Sequence, residues 1–151
     1  MKIYLDVCCL NRPFDDQTQD RIRLETEAIY AILKKIELGK LELLNSDVIF
    51  YEVEKLPDIT RKERINCILS LSCQYIDLDH EIKERARNIQ SLGIRSYDSL
   101  HIASAELAKA TVFLTTDDQL LKKAKHYDTI LKVRVENPLN WIIEVLNHES
   151  L

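Results

Sequence analysis

Residues 96–121, SYDSLHIASAELAKATVFLTTDDQLL, run from a helix of small apolar residues through a short buried strand into a second helix opened by acids. Asp98 shares a helical face with Ile102 and Ala105, at spacings of four and three, and His101 lies one turn on. VFLT, 112–115, reads as a buried strand. Thr116-Asp117-Asp118-Gln119 then has the T-x-x-Q form of a capping box, with acids in the first turn of the next helix. Helix, strand and helix in direct succession form the repeating unit of a parallel sheet covered on both faces.

Working outward, the same alternation fills the chain. KIYLD, 2–6, is an apolar strand ending at Asp6, followed by a loop with Asn11, Arg12 and Pro13. A long helix is expected from about 17 to 38, with Ile22, Ala28, Ile29, Ile32, Leu33 and Ile36 on one side. Gly39 ends it as a C-cap. LELLN, 41–45, is a second strand, and Ser46 caps a helix that Pro57 stops. A further helix spans about 60–71, and QYIDL, 74–78, is a third strand. Asp79 or His80 opens a polar helix closed by Gly93. LKVRVE, 131–136, supplies a fifth strand, and the last helix has Pro138 in its first turn. The expected fold is α/β, a three-layer α/β/α sandwich with a central, mostly parallel sheet of about five strands. With no linker, repeat or low-complexity segment in view, one domain over residues 1–151 is expected.

Composition narrows the function. The chain has 46% hydrophobic and 30% charged residues and a net charge of −4. It has no long apolar run, and MKIYLDV reads as a strand rather than a signal peptide, so no membrane and a cytoplasmic location are expected. Only Gly39 and Gly93 are glycines, which excludes phosphate-cradling loops that need several. Phosphates would have to be handled by metal and side chains. A pI near 5.6 argues against broad electrostatic binding to nucleic acid and leaves room for a local basic rim. Cys8, Cys9, Cys67 and Cys73 show no zinc-like spacing and read as free thiols. Cys8 and Cys9 stand close enough to Asp6 for oxidation there to disturb it.

Four acids stand where strands give way to loops or helices: Asp6, Glu52, Asp98 and Asp117. Carboxylates scattered in sequence but gathered at one sheet edge suit a hard cation, Mg²⁺ or Mn²⁺. Each also has a plainer role. Asp6 can start a turn. Glu52 falls beside the stripe of Val48, Ile49 and Leu56, where an acid is costly unless paired or metal-bound. Asp98 can serve the helix dipole, worth about 0.3–1 kcal/mol. Asp117 and Asp118 fit a capping box, and only their place after a buried strand raises them. His101 is most simply a satisfied core histidine; the sharper reading makes it a support for Asp98. Arg12, Arg95, Lys122 and Lys123 flank the acids and can rim a substrate groove, Arg12 foremost, although solvated charge is the commoner explanation.

Taken together, LD at the end of the first strand, Ser46 to Glu52, YDSLHIASA and LTTDDQLL resemble PIN-domain ribonucleases, the fold of the toxins in VapBC-type toxin–antitoxin pairs. The resemblance spans nearly the whole chain. It implies a site of Asp6, Glu52, Asp98 and Asp117 around one or two Mg²⁺ or Mn²⁺ ions, with Asp118 assisting through a water. It further implies a supporting hydroxyl at Thr115 or Thr116, an RNA substrate, an antitoxin partner and a homodimer. One departure is clear: many PIN proteins place Thr or Ser, then Asn or Ser, directly after the first Asp. This chain has Val7, Cys8 and Cys9, with Asn11 as the replacement polar neighbour.

Two other classes stay open at this level. A haloacid-dehalogenase-like phosphatase also puts Asp after the first strand, but it wants a second Asp at position 8, where Cys8 stands. A non-catalytic PIN module would bind RNA or a protein without cutting.

Overall fold

The computed structural model describes residues 1–149. Strand β1 (Lys2–Leu5) is the centre of a five-stranded sheet. The others are β2 (Glu42–Ser46), β3 (Gln74–Ile76), β4 (Val112–Leu114) and β5 (Arg134–Glu136), in the order β3-β2-β1-β4-β5. Every pairing is parallel. β1 and β4 pair through Ile3 with Val112, Tyr4 with Phe113, and Leu5 with Leu114. All six are buried, which explains why these strands read as unbroken apolar runs rather than alternating ones.

The helices between them are α1 (Val7–Asn11), α2 (Asp20–Glu37), α3 (Asp47–Glu54) and α4 (Ile59–Leu69). After β3 come α5 (His80–Gln90), α6 (Ser96–Leu107), α7 (Asp118–His126) and α8 (Pro138–Glu149). α2 packs against α8 and α5 against α6, completing the α/β/α sandwich. The stripe expected on α2 is buried from Ala28 to Ile36, and Gly39 follows it with the left-handed φ of +74° that a glycine C-cap supplies. Among the described residues no helix is long and apolar enough to cross a membrane.

The strand order singles out one edge of the sheet. The chain fills one side of β1 with β2 and β3, then crosses to the other side for β4 and β5. The direction of winding therefore reverses between β1 and β4, and ligands of open α/β sheets bind in the crevice at such a point. Asp6 and Asp117 stand just beyond the carboxyl ends of those two strands.

Several boundaries differ from the sequence expectation. Residues 7–11 form the short helix α1 where a loop was expected. Asp6 causes this, accepting the Val7 N–H with its side chain and the Cys9 and Leu10 N–H groups with its carbonyl. Five residues are too few to leave a helical period in the sequence. α2 starts at Asp20 because the Asp16 carboxylate accepts from Thr18 N and Oγ1, holding the preceding segment in a turn. β3 and β5 are three residues each; Leu131 and Val133 are buried but lie outside the ladder.

Candidate active site

Asp6 is the most deeply set of the four acids, 6% exposed. Its Oδ1 accepts from Val7 N at 2.9 Å, and its Oδ2 accepts from Thr115 Oγ1 at 2.8 Å and Cys8 Sγ at 3.3 Å. Thr115 Oγ1 in turn accepts the Asp117 N–H at 3.2 Å, so one buried hydroxyl ties the ends of β1 and β4 together. Thr116 supplies no such bridge; its N–H donates to Cys8 Sγ at 3.3 Å. Cys8 thus sits inside the cluster as a hydrogen-bonding group. Asn11 is turned away, with Oδ1 3.5 Å from Arg61 Nη1, and the polar neighbour of Asp6 is Cys8 instead.

A second chain of buried polar groups reaches Glu52. Tyr4 Oη lies 2.7 Å from Ser46 Oγ and 2.7 Å from His101 Nδ1, and His101 Nε2 lies 2.9 Å from Glu52 Oε1. Tyr4, Ser46 and His101 are fully buried. A carboxylate only accepts, so Nε2 carries the proton toward Glu52, and in the neutral ring Nδ1 accepts. Tyr4 then donates to Nδ1, and Ser46 donates to Tyr4 while accepting the Ile49 N–H as the N-cap of α3. This arrangement leaves no hydroxyl proton without an acceptor. Burial pushes the Tyr4 phenol well above its ordinary pKa, which keeps it a donor. His101 therefore supports Glu52 rather than Asp98. Ser46 is the helix cap expected from the sequence, whereas the role of Tyr4 escaped the sequence reading because a tyrosine in an apolar strand looks like simple core.

Replacing Tyr4 with Phe keeps the ring, which stacks on Phe113 at 5.4 Å, and removes only the hydroxyl. Two buried groups lose their partner, and a loss of about 1–3 kcal/mol is expected in urea denaturation. A neutral result would show that Ser46 and His101 re-pair on their own.

Asp98, in the first turn of α6, is half-buried and carries no side-chain hydrogen bond among the described residues. Its pKa is raised from 3.8 to about 6, first by burial, then by the negative charges of Asp6, Asp117 and Glu52, against an opposing pull from His101. All three other acids are thus close enough to be felt at Asp98. Asp98 and Asp117 also line one small depression with Ile94, Arg95, Gln119, Leu120 and Lys123. Donor atoms of Asp6, Glu52 and His101 lie within 4.8 Å of one another.

Asp117 itself is the N-cap of α7, accepting from Gln119 N and Leu120 N through Oδ1 alone. The expected capping box does not form, because the cap is Asp117 and not Thr116. Asp118 points outward, 70% exposed at its side chain, where Arg21 grips both of its oxygens at 2.6 and 2.8 Å. That pairing holds the Asp118 carboxyl below the usual carboxylate range. Arg21 also donates to Thr116 O, at 3.0 Å.

Arg12 is not free at the rim. Its Nε donates to Glu25 at 2.9 Å, and Nη1 to Asp15 at 3.2 Å. Glu25 is 1% exposed and also takes Arg21 Nε and Asn137 Nδ2. This buried acid went unnoticed in sequence, although its spacing to Ala28, Ile29 and Ile32 puts it on the buried stripe of α2. Arg95 and Lys123 line the depression of Asp98 and Asp117, Arg95 and Lys122 are exposed, and Lys123 donates to Gly93 O at 2.7 Å.

This geometry is that of a crowded oxygen site at the switch point of a parallel sheet. Residues 3–126 match the family model of the PIN domain, and the chain belongs to that family. Among solved structures, the fold is similar to a chain of the crystal structure of VapBC2 from Rickettsia felis bound to a DNA fragment from their promoter. That match has 17% identity and a TM-score of 0.54, covering 91% of this chain and 98% of the other. It is also similar to PAE2754 from Pyrobaculum aerophilum, at 18% identity and a TM-score of 0.55 over 98% of this chain and 99% of the other. No curated protein matches significantly.

Proposed function

We propose that this chain is a metal-dependent endoribonuclease that hydrolyses phosphodiester bonds of RNA, and that it acts as the toxin of a toxin–antitoxin pair. The observation that carries the nuclease reading is the gathering of acids at the carboxyl edge of the sheet: ligand atoms of Asp6 and Glu52 lie within 4.8 Å of one another, and Asp98 and Asp117 line one depression. An unpaired, half-buried carboxylate amid three others is poorly placed in the metal-free protein and well suited to Mg²⁺ or Mn²⁺. The PIN family match supports the reaction class. Likeness to a VapBC2 chain supports an antitoxin partner, and a homodimer is part of the proposal.

In this reading Asp6, Glu52, Asp98 and Asp117 are the catalytic acids and hold the ion, with one oxygen of Asp117 retained as a helix cap. A bound divalent ion would supply Lewis acidity toward the phosphoryl oxygens and activate a water at neutral pH. Thr115 holds Asp6 in place, and His101 holds Glu52. Arg95 and Lys122 are positioned to meet substrate phosphates. Arg12 keeps the α1 turn in place through Glu25, and Asp118 reaches the site only once Arg21 lets it go.

The test is cleavage of a mixed single-stranded RNA in Mn²⁺ and in EDTA, with end analysis of the products. Products with 5′-phosphate and 3′-hydroxyl termini, formed only with metal, are expected. Hydrolysis of small phosphate esters with intact RNA would instead support the phosphatase class. RNA bound but uncut, unaffected by Asp98→Asn, would support a non-catalytic module.

A further inference from the structure

We infer that a basic groove over α7 is the path by which a single-stranded RNA leaves the acid site. The inference rests on the nuclease reading for its substrate but on separate residues for its geometry. A groove of about 630 Å³ is lined by Leu92, Gln119, Lys122, Lys123, Lys125, His126 and Tyr127. Gln119 and Lys123 also line the depression that holds Asp98 and Asp117. The two hollows therefore adjoin at those two side chains, and a chain seated at the acids has the groove as its neighbour.

The charge of the groove is available for binding. Most arginines near the acids are committed: Arg12 and Arg21 to Glu25, Arg21 to Asp118, Arg61 to Asp15. Lys122 and Lys125 are exposed and form no ion pair among the described residues. In a protein of net charge −4, unpaired cations gathered beside a cluster of acids form a local reversal of sign. Cations also suit a helix C-terminus, which accounts for Lys123 and Lys125 in the last turn but not for Lys122.

Spacing and chemistry favour a nucleic-acid strand. Gln119, Lys122, Lys123 and His126 recur at three and four residues, making one stripe along α7 about 10 Å long. At its far end the His126 and Tyr127 rings meet edge to face at 4.7 Å. Point charges for phosphates followed by an aromatic surface for a base are the two parts of single-strand recognition. Lys122 and Lys125 track the backbone, and the exposed His126 ring, braced by Tyr127, is the surface for an unpaired base. A base-paired strand keeps its bases inside the duplex, so single strands are favoured.

The experiment uses the full chain carrying Asp98→Asn, which suppresses cleavage, and reads binding of a fluorescent single-stranded RNA decamer in Mg²⁺ across a salt series. Each phosphate contact on a single strand contributes about 0.7 to the slope of log K against log salt. Lys122→Ala with Lys125→Ala is expected to reduce the slope by about 1.4 and to weaken binding about tenfold at low salt. Lys34→Ala with Lys40→Ala, the same charge change elsewhere, is expected to leave the slope alone. His126→Ala is expected to weaken binding without changing the slope. Equal effects of the two double variants would overturn the inference. So would an acidic peptide or a duplex that binds the groove as well as the single strand does. Wild-type protein that cuts no RNA, yet loses RNA binding in the groove variant, would sink the nuclease reading and leave the groove standing.

Discussion

Asp98→Asn is expected to reduce RNA cleavage sharply and, at the same time, to stabilise the metal-free protein at neutral pH. The folded-state pKa of Asp98, about 6, lies above its ordinary 3.8, so between those values the folded protein holds a proton that the unfolded chain has lost. The stability this contributes is fully present below about pH 4, and is lost as pH rises toward 6. Above pH 6 the folded state carries an ionised carboxylate among like charges. A shift of this size corresponds to about 3 kcal/mol if fully buried, but Asp98 is partly open to solvent, and screening reduces it to about 1–2 kcal/mol. An uncharged Asn removes the repulsion and breaks no hydrogen bond. At pH 7.5 without metal, Tm should rise by about 3–6 °C, and the gain should vanish near pH 4. A helix-dipole acid behaves oppositely, its removal lowering stability by about 0.3–1 kcal/mol. Cleavage should fall by about two to three orders of magnitude, the scale of losing one electrostatic group in a reaction centre.

The second large effect is thermal. Two carboxylates about 4 Å apart repel by roughly 4 kcal/mol at an effective dielectric near 20, and a divalent ion reverses that term. Mn²⁺ or Mg²⁺ at about a hundred times its dissociation constant should stabilise the fold by about 2.7 kcal/mol. For a chain of 151 residues that is a rise in Tm of about 5–10 °C. The rise should be reversed by EDTA and largely missing in Asp6→Asn, whose side chain lies between Thr115, Cys8 and the Val7 N–H. An unchanged Tm in millimolar metal would count against the whole arrangement.

The parts of this fold that carry a long-range pattern were legible. β1 and β4 announced themselves as short apolar runs, and the four acids as breaks in those runs or as charges on apolar helical faces. The order of strands and helices then put Asp6 after the first strand and Asp117 after the fourth; that these two strands are neighbours is seen only in the sheet order. What the sequence hid is side-chain direction. His101 lies one turn from Asp98, yet its Nε2 is directed at Glu52, because the Tyr4 hydroxyl on the central strand fixes the other nitrogen. Arg12 follows Asp6 in sequence, yet Glu25 draws it toward α2. Asp118 adjoins Asp117, yet its outward course meets Arg21 from a helix almost a hundred residues earlier, |i−j| = 97. Each of these depends on a partner remote in sequence, and no local period encodes it. The short helix α1 was hidden for a different reason: its signal is one cap, and the apolar residues after Asp6 fit strand, turn or helix alike.

The most direct test of the central claim, that these acids converge on one catalytic ion, is anomalous diffraction from crystals soaked in Mn²⁺. A single strong peak, or a close pair, with oxygens of Asp6 and Asp98 within about 2.2 Å is the expected result. Crystals that show no peak there at millimolar Mn²⁺, or only one on the outer face of Asp118, would contradict it.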